Sequence, residues 1–176
     1  RAKMPIPMEG STRLDVKLIQ EHFGKDVLKV KEEFGDTFVC VNRAKIAEVL
    51  EFVRDHPALG YDYFSECLGV DYSTWNLPRD FDARFEVVYN LSSLKHMSRL
   101  FFKVGVNDGE SVPTCKHVFL GAEYPEREIA DLYGIPFEGN MDHPGRFLLP
   151  DDWHGYPLRK EVPLGGEDVV FAEGST

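Results

Sequence analysis

The order of hydrophobic periodicities along the chain constrains its fold more than any other feature of the sequence. Apolar residues recur every three or four positions in two segments, as on one face of an α-helix, and β-branched and aromatic residues alternate or cluster in five others. In chain order these segments are a helix over 12–23, strands over 27–32 and 37–41, a helix over 43–55, and strands over 67–72, 84–90 and 98–106. This order predicts an α+β domain with a mostly antiparallel sheet flanked by two helices.

Glycine, proline and turn residues mark the ends of these segments. Gly24 follows the first predicted helix, and His56-Pro57 ends the second because the residue before a proline disfavours helical backbone. The run Phe34-Gly35-Asp36 separates the first two strands and predicts a hairpin.

The regular periodicity ends after Val106, and the remaining chain has a different character. A short helix is predicted from Ala122, and proline and glycine interrupt the chain from Gly134 onwards. Aromatic side chains in that last stretch need an apolar surface, which the domain's own sheet or a partner subunit would provide. These side chains are Phe137, Phe147, Trp153, Tyr156 and Phe171. We therefore predict an N-terminal arm over 1–10, an α+β domain over 11–122, and a short helix with an extended partner-binding tail over 123–176.

Charge is distributed unevenly and excludes two classes of partner. The chain has 20 basic and 30 acidic side chains, a net charge of −10. Residues 1–106 carry 15 basic and 16 acidic side chains, whereas residues 107–176 carry 5 and 14. Nucleic acid and anionic lipid both need a basic surface, which this distribution does not supply. No apolar run approaches the ~18 residues of a membrane span, so we expect no direct membrane insertion.

No residue pattern in the sequence indicates a cofactor site or a catalytic centre. The three cysteines, Cys40, Cys67 and Cys115, are far apart and form no CxxC pair, which argues against an iron–sulfur or zinc site. The six histidines form no HxxxH or HExxH motif, and no phosphate-binding glycine loop follows a predicted strand. We therefore expect no metal, flavin or nucleotide in this chain and no catalytic residue of its own.

The segment 124–135 has the pattern of a short, well-capped helix. Pro125 suits the first helical position, where no backbone donor is needed. Glu126 and Glu128 lie in the first turn, where the helix dipole favours negative charge.

The second half of this helix carries an ion pair and a stop signal. Arg127 and Asp131 are four residues apart and are predicted to pair on one face, and Gly134 suits the left-handed conformation that ends a helix. A helix of two to three turns is not stable alone, so we expect it to dock onto another surface.

The motifs that begin in this helix resemble a family signature. The run EREIADLYGIPFEG over 126–139 is followed by His143-Pro144, RFLLP over 146–150, DDW over 151–153 and GYPLRK over 155–160. In this order the motifs resemble the signature of the C subunit, the 30 kDa subunit family, of the proton-pumping NADH:quinone oxidoreductase, respiratory complex I. The resemblance is strong over 124–164, and in the preceding domain only the order of elements agrees.

The chain departs from the family pattern in one residue and slightly in the spacing to Arg146. The family places a histidine directly after the glycine at 139, where this chain has Asn140, and His143 comes three residues later. These departures leave an alternative open: the equivalent subunit of a ferredoxin- or F420-linked complex, or of a membrane-bound hydrogenase. These assemblies are similar in architecture and differ in electron donor.

The resemblance implies a role without chemistry of its own. Members of the family are peripheral subunits that bind no cofactor and pack against the hydrogenase-like large subunit, which forms the quinone pocket with a neighbouring iron–sulfur subunit. The flavin and the iron–sulfur clusters are then expected in partner subunits. The chain would scaffold the quinone-site subunit during electron transfer from NADH to quinone. It would lie on the cytoplasmic side of the inner or plasma membrane, or on the matrix side in mitochondria.

The matched residues form the predicted partner interface. Trp153 and the neighbouring aromatic side chains would anchor the tail, and Arg146, Arg159 and Lys160 would pair with carboxylates or carbonyls of the partner. The interface candidates are Glu126, Arg127, Glu128, Asp131, Gly134, His143, Pro144, Arg146, Trp153, Pro157, Leu158, Arg159 and Lys160.

Two other classes of function compete with this one. A free-standing α+β enzyme would use His143 and nearby acids, and an unrelated acidic adaptor would need no chemistry. Proteolysis of the isolated chain separates an enzyme from a subunit. A self-sufficient enzyme keeps its tail folded, whereas a subunit has exposed apolar surface and a protease-sensitive tail.

Overall fold

The computed structural model describes residues 8–9, 12–140 and 145–163. In chain order the elements are β1 (Met8–Glu9), β2 (Thr12–Arg13), α1 (Leu14–Phe23), β3 (Val27–Glu33), β4 (Asp36–Val41), α2 (Ile46–Asp55), β5 (Tyr63–Asp71), β6 (Phe85–Ser93), β7 (Ser98–Val106), β8 (Val112–Pro113), α3 (Glu123–Tyr133) and β9 (Phe137–Glu138). The predicted α+β class is confirmed, and the predicted helices and strands are present with small shifts at their ends.

The first helix begins two residues later than predicted. Thr12 and Arg13 are extended and pair antiparallel with Met8 and Glu9, so the helix starts at Leu14. The Arg13 guanidinium then donates to the buried Asp15 carboxylate at 2.7 Å, which fixes the entry into α1.

Five strands form the central sheet in the order β3-β4-β7-β6-β5. Neighbouring strands run antiparallel, except that β4 and β7 run parallel at the centre, with Val39 opposite Phe102. The chain between them includes α2, β5 and β6, which is long enough to return β7 in the same direction as β4. The sheet is mostly antiparallel, as predicted, with one parallel pair that the order of segments did not predict.

One face of this sheet is apolar and carries the helices. The register places Cys67, Tyr89, Phe102 and Val39 in one row across four strands, and all four are buried in the core. Strand side chains alternate between faces, so every second residue of these strands joins the same layer. The helices α1 and α2 contribute Val16, Ile19, Ile46, Val49, Leu50 and Val53 to this core.

The opposite face is more polar and is partly covered by the loop 72–84. Lys103 pairs there with Asp80 at 2.7 Å and with Glu86 at 2.5 Å, and the three side chains are nearly buried. Burial opposes ionisation of Asp80, but the hydrogen bond from Lys103 contributes to holding its pKa well below the usual value. The network satisfies charges that would otherwise be costly to bury.

The core continues past residue 122, where the sequence predicts the boundary between domain and tail. Ile129, Ile135 and Phe137 are buried in the same apolar cluster as the sheet. The strand β9 pairs parallel with β8, with Phe137 opposite Val112. Helix α3 and the chain up to β9 are therefore part of the folded domain. Within the described residues no helix is both long and apolar enough to cross a bilayer.

Candidate partner interface

Helix α3 packs against β5 on the apolar face of the sheet. Gly69 of β5 lies opposite Val87, a core residue, and a Cβ added there would lie 3.1 Å from both Ile129 and Tyr133. Glycine at this position lets the helix approach the strand closely. The predicted docking surface for this short helix is therefore the chain's own sheet.

The ends of α3 follow the sequence with one difference. The helix begins at Glu123, so Pro125 is its third residue. The sequence predicts Pro125 at the first helical position. Proline is still accommodated, because the first four N–H groups of a helix have no partner inside it. Gly134 ends the helix with φ +74°, and its N–H donates to the carbonyl oxygen of Ala130 at 3.0 Å.

Glu126 points into the protein. Its side chain is fully buried and accepts hydrogen bonds from the Cys115 N–H at 2.7 Å, the Asn140 amide at 2.9 Å and the Thr114 hydroxyl. Burial raises the pKa of this carboxyl group, and the three donors offset that rise only in part. Asn140 also donates to the carbonyl oxygen of Glu123 at 3.0 Å and so secures the first turn of α3.

Asp131 also faces inward and holds the segment that follows the helix. Its carboxylate accepts the N–H groups of Leu148 at 2.8 Å and Leu149 at 2.9 Å, and Nη1 of Arg146 at 3.3 Å. Burial opposes ionisation here, but these donors lower the pKa of Asp131 below its usual value. The predicted pair between Arg127 and Asp131 is wrong, because Arg146 takes that place.

Arg127 contacts an aromatic ring. Its guanidinium carbon lies 4.5 Å from the ring centroid of Phe147, a cation–π arrangement. Phe147 in turn stacks on Tyr124, with ring centroids 5.7 Å apart. The aromatic anchor predicted at Phe147 thus has contacts within its own chain, while Tyr124 remains 59% exposed.

Tyr156 lies between two arginines on the end of α3. Its ring centroid is 5.2 Å from the guanidinium carbon of Arg146 and 4.7 Å from that of Arg159. A Cβ on Gly134 would lie 2.5 Å from the ring, so both the backbone conformation and this contact require glycine. Arg146 also donates to the carbonyl oxygens of Trp153 at 3.0 Å and Gly155 at 2.9 Å.

Arg159 joins the tail to the domain. Its guanidinium forms a two-pronged pair with Asp108, at 3.0 and 2.9 Å, and Nε donates to the carbonyl oxygen of Tyr133 at 2.8 Å. The neighbouring N–H of Lys160 donates to Asp71 at 3.0 Å, and that of Leu158 donates to a backbone carbonyl of α3 at 3.2 Å.

Arg84 links the same set of carboxylates. It pairs with Asp71 at 3.1 Å, with Asp108 at 3.3 Å and with Glu161. Burial opposes ionisation of Asp71, but hydrogen bonds from Arg84 and from the backbone of Lys160 and Ser73 lower its pKa to about 2. Residues 145–163, with their partners Asp71, Arg84, Asp108 and Asp131, are called the tail clasp below.

The structure brings most of the predicted interface residues together, in two different environments. Glu126 and Asp131 are buried inside the chain, and Gly134, Arg146 and Arg159 hold the tail clasp. Half-buried or exposed residues form the outer surface of the same region: Arg127, Glu128, Trp153, Pro157, Leu158 and Lys160. His143 and Pro144 lie outside the described residues.

Sequence reasoning missed Asp71, Arg84 and Asp108. They lie in the α+β domain, between 51 and 89 residues away from the tail groups that they bind. No local spacing connects such distant residues. A signal was nonetheless present, because the basic residues of an acidic tail need carboxylate partners and the chain offered several.

The cysteines of this chain lie in environments that disfavour the reactive thiolate. The three cysteines are buried, and burial raises the pKa of the Cys40 thiol to about 11, which keeps it protonated. In the part of the chain that the structure describes, no three His, Cys, Asp or Glu side chains are grouped so as to hold a metal ion.

Comparison with known proteins identifies the family. The model of the respiratory-chain NADH dehydrogenase 30 kDa subunit matches residues 39–168. The C subunit of NADH-quinone oxidoreductase from Roseiflexus castenholzii is 45% identical over 150 residues, which cover 83% of this chain and 81% of that protein. The Geobacter sulfurreducens protein of the same name is 38% identical over 162 residues, covering 92% and 94%. The chain belongs to this family and is a subunit of NADH-quinone oxidoreductase in the respiratory chain.

A solved structure agrees with this assignment and with the fold. A chain described as Nqo5 of the trypsin-resistant fragment (1-134) superposes with a TM-score of 0.62 at 30% sequence identity. The similarity covers 73% of this chain and 98% of that one. The resemblance that the motifs carry in the sequence is confirmed.

Proposed function

We propose that this chain is a non-catalytic subunit of the peripheral arm of a proton-translocating NADH:quinone oxidoreductase, where it scaffolds the hydrogenase-like subunit that forms the quinone site. The proposal rests on one observation, the contacts that the motif residues make within the chain. Gly134, Arg146 and Arg159 surround Tyr156 and hold the tail clasp on α3. They build a preorganised surface, which lowers the entropy cost of binding a partner.

The outer side of this region supports docking onto another protein. Tyr124, Leu148 and Leu158 remain 59%, 57% and 46% exposed in a part of the chain that is otherwise acidic. Large apolar side chains that stay exposed beside ordered polar ones are typical of interfaces. The hydrogenase-like subunit would bury them, and the neighbouring iron–sulfur subunit would lie close by.

The solved relative supports a compact, protease-resistant domain in this chain. The Nqo5 chain is a trypsin-resistant fragment and matches 73% of this chain. In the present protein the tail clasp is held by ion pairs, rings and backbone hydrogen bonds at the margin of the core, which is the kind of segment that a partner stabilises further.

The flavin and iron–sulfur clusters would lie in partner subunits, with none in this chain. The burial of all three thiols supports this part of the proposal. The subunit would be peripheral, on the cytoplasmic side of the inner or plasma membrane, or on the matrix side in an organelle. Electrons would pass through the neighbouring subunits, and this chain would hold those subunits in position relative to one another.

Affinity purification through a tag on this chain tests the proposal. We expect the hydrogenase-like subunit, iron–sulfur subunits and the NADH-binding flavin subunit to co-purify with NADH:quinone reductase activity. After dissociation of the subunits, iron and flavin should leave with the others. Purification of a self-contained enzyme, or iron or flavin that stays with the separated chain, would contradict it. A complex without NADH-binding subunits would instead support the ferredoxin- or F420-linked alternative.

A further inference from the structure

The two edges of the central sheet are protected to different degrees. The edge strand β3 has the sequence VLKVKEE, in which Lys29 pairs with Asp80 at 2.9 Å and Lys31 pairs with Glu33 at 3.1 Å. Charged side chains on an edge strand hinder pairing with another chain. The other edge strand is β5, and between its two end residues only Glu66 is charged.

The outer edge of β5 is regular enough to accept a further strand. A bulge between Phe64 and Glu66 disturbs its start, and from there Glu66–Asp71 pairs residue by residue with Phe85–Asn90 of β6. Among residues 8–9, 12–140 and 145–163, β6 is the only strand that pairs with β5. Unpaired backbone groups along such an edge can bind an incoming extended segment, which is a common mode of peptide recognition.

A groove of about 370 Å³ lies beside this edge. It is bounded by β5 and α3 and is lined by Leu68, Leu132 and Leu158, among others. Leu68 is 42% exposed and Leu158 is 46% exposed, so apolar surface borders the outer edge of β5. An added strand would therefore gain both backbone hydrogen bonds and apolar burial.

The charge of the groove restricts what can occupy it. Glu66 and Glu128 line it and are exposed, and within the described residues no lysine, arginine or histidine side chain lines it. An occupant with basic side chains would neutralise these carboxylates, whereas an acidic one would be repelled.

We infer that the outer edge of β5 and this groove bind an extended segment of a neighbouring subunit, added as a sixth strand, that carries apolar side chains together with lysine or arginine. Successive side chains of a strand point to opposite faces. Those directed towards α3 meet Leu132 and Glu128, and those directed away meet Leu68 and Glu66, so each face of the added strand offers both an apolar and an acidic contact. The inference rests on the proposed function, because it requires that the chain works beside other subunits.

Charge favours this occupant of the groove over two other candidates. Residues 164–176 contain three acidic side chains and no basic one, so they would bring like charges to Glu66 and Glu128. A second copy of the chain, paired edge to edge through β5, would bring its own Glu66 to the same groove. Like charges on neighbouring strands are destabilising, so a basic segment of another protein fits the site better.

Hydrogen exchange on the complex, purified through a tag on this chain, tests the strand addition. Amides in peptides covering 63–71 should exchange about 100-fold more slowly in the complex than in the isolated full chain, as newly hydrogen-bonded strand amides do. If the complex is intact and these amides exchange as fast as in the isolated chain, the inference fails and the proposed function stands. If no other subunits co-purify, both fail.

A photo-crosslinking amino acid at Leu68 identifies the occupant, with the same amino acid at Leu28 as the matched control. Both leucines are exposed and lie on opposite edge strands. We expect the crosslink from position 68 to join a lysine- or arginine-containing segment of another subunit, and the crosslink from position 28 not to reach that segment. A crosslink from position 68 to this same chain or to a second copy would overturn the inference.

Charge reversal tests the electrostatic part. Glu66→Lys with Glu128→Lys should reduce the co-purified partner about tenfold, because the basic segment would then meet like charges. The control pair Glu21→Lys with Glu32→Lys changes net charge equally at exposed positions outside the groove and should change the yield by less than about twofold. Equal yields from the two double variants would overturn the proposed chemistry of the occupant.

Discussion

The domain and the tail clasp of this protein are held by different forces. The domain is built on a row of buried apolar side chains across the sheet, and its stability comes mainly from apolar burial. The tail clasp depends on four carboxylates, three arginines and the ring of Tyr156, most of them partly exposed. Burial of apolar groups involves no protonation and no screening of charges, whereas exposed ion pairs depend on both pH and ionic strength. The two regions should therefore separate experimentally.

Replacing one phenylalanine by alanine in each region should give the largest difference in the free energy of unfolding. Phe102→Ala empties a fully buried site and should lower the free energy of unfolding by ~3–5 kcal/mol. Phe147→Ala removes a ring of the tail clasp and should change the domain's free energy of unfolding by less than ~1 kcal/mol. Chemical denaturation of the isolated chain measures both, and equal losses would mean that the tail is part of the same cooperative core.

Gly134→Ala should release the tail while leaving the sheet folded. The variant introduces backbone strain of ~1–3 kcal/mol at φ +74° and a clash with the ring of Tyr156. Gly109→Ala is a matched control, because its φ is +81° but nothing lies within 4 Å of the added Cβ. We expect trypsin to cleave after Arg146 and Arg159 about tenfold faster in the first variant only. Equal cleavage rates in the two variants would contradict the contact with Tyr156.

Glu126→Gln should change how domain stability depends on pH. Because the folded-state pKa of Glu126 lies above its ordinary value of 4.5, folding favours the protonated form. The contribution of Glu126 to stability therefore increases as the pH falls from above the folded-state pKa towards 4.5. We expect the wild type to gain stability relative to the Gln variant over that range, measured by urea unfolding. A constant difference between the two proteins would show that burial does not raise this pKa.

Acid should open the tail clasp through Asp71. Its pKa is lowered from 3.8 to about 2, so its stabilising contribution is complete above 3.8 and is lost as the pH falls through 2. In a Trp75→Phe variant, the fluorescence of Trp153 reports on the clasp alone. We expect its emission to shift in that pH window before circular dichroism reports loss of the sheet, and Asp71→Asn, which lacks the carboxylate, should show the shifted emission already at neutral pH. Simultaneous loss of both signals would contradict independent regions.

The sequence predicted the domain well because local signals sufficed. Ile46, Val49, Leu50 and Val53 recur at helical spacing and are the residues that α2 buries. The parallel pairing of β4 with β7 was not predictable in this way, because strand order depends on the path of the whole chain. Gly69 allows α3 to pack closely on the sheet, and no pattern in the sequence indicated this role.

The tail was harder to predict because its partners are distant in sequence. Arg146 and Arg159 were expected to meet carboxylates of another subunit, and charge alone cannot distinguish such a partner from Asp108 or Asp131 of the same chain. The i, i+4 rule failed for Arg127 and Asp131 because a buried carboxylate with two backbone donors binds more strongly than an exposed ion pair.

Arg159→Ala in the intact complex tests the central claim, that this subunit scaffolds and does not take part in the chemistry. The variant removes the two-pronged pair with Asp108 and the hydrogen bond to the carbonyl of Tyr133, so the surface that meets the partner loses its order. Arg99→Ala is the control, since it removes an equally charged arginine paired with Asp36. We predict that only Arg159→Ala lowers the amount of assembled complex, with quinone reductase activity falling in proportion and activity per assembled complex unchanged. Normal assembly with collapsed turnover would contradict the account.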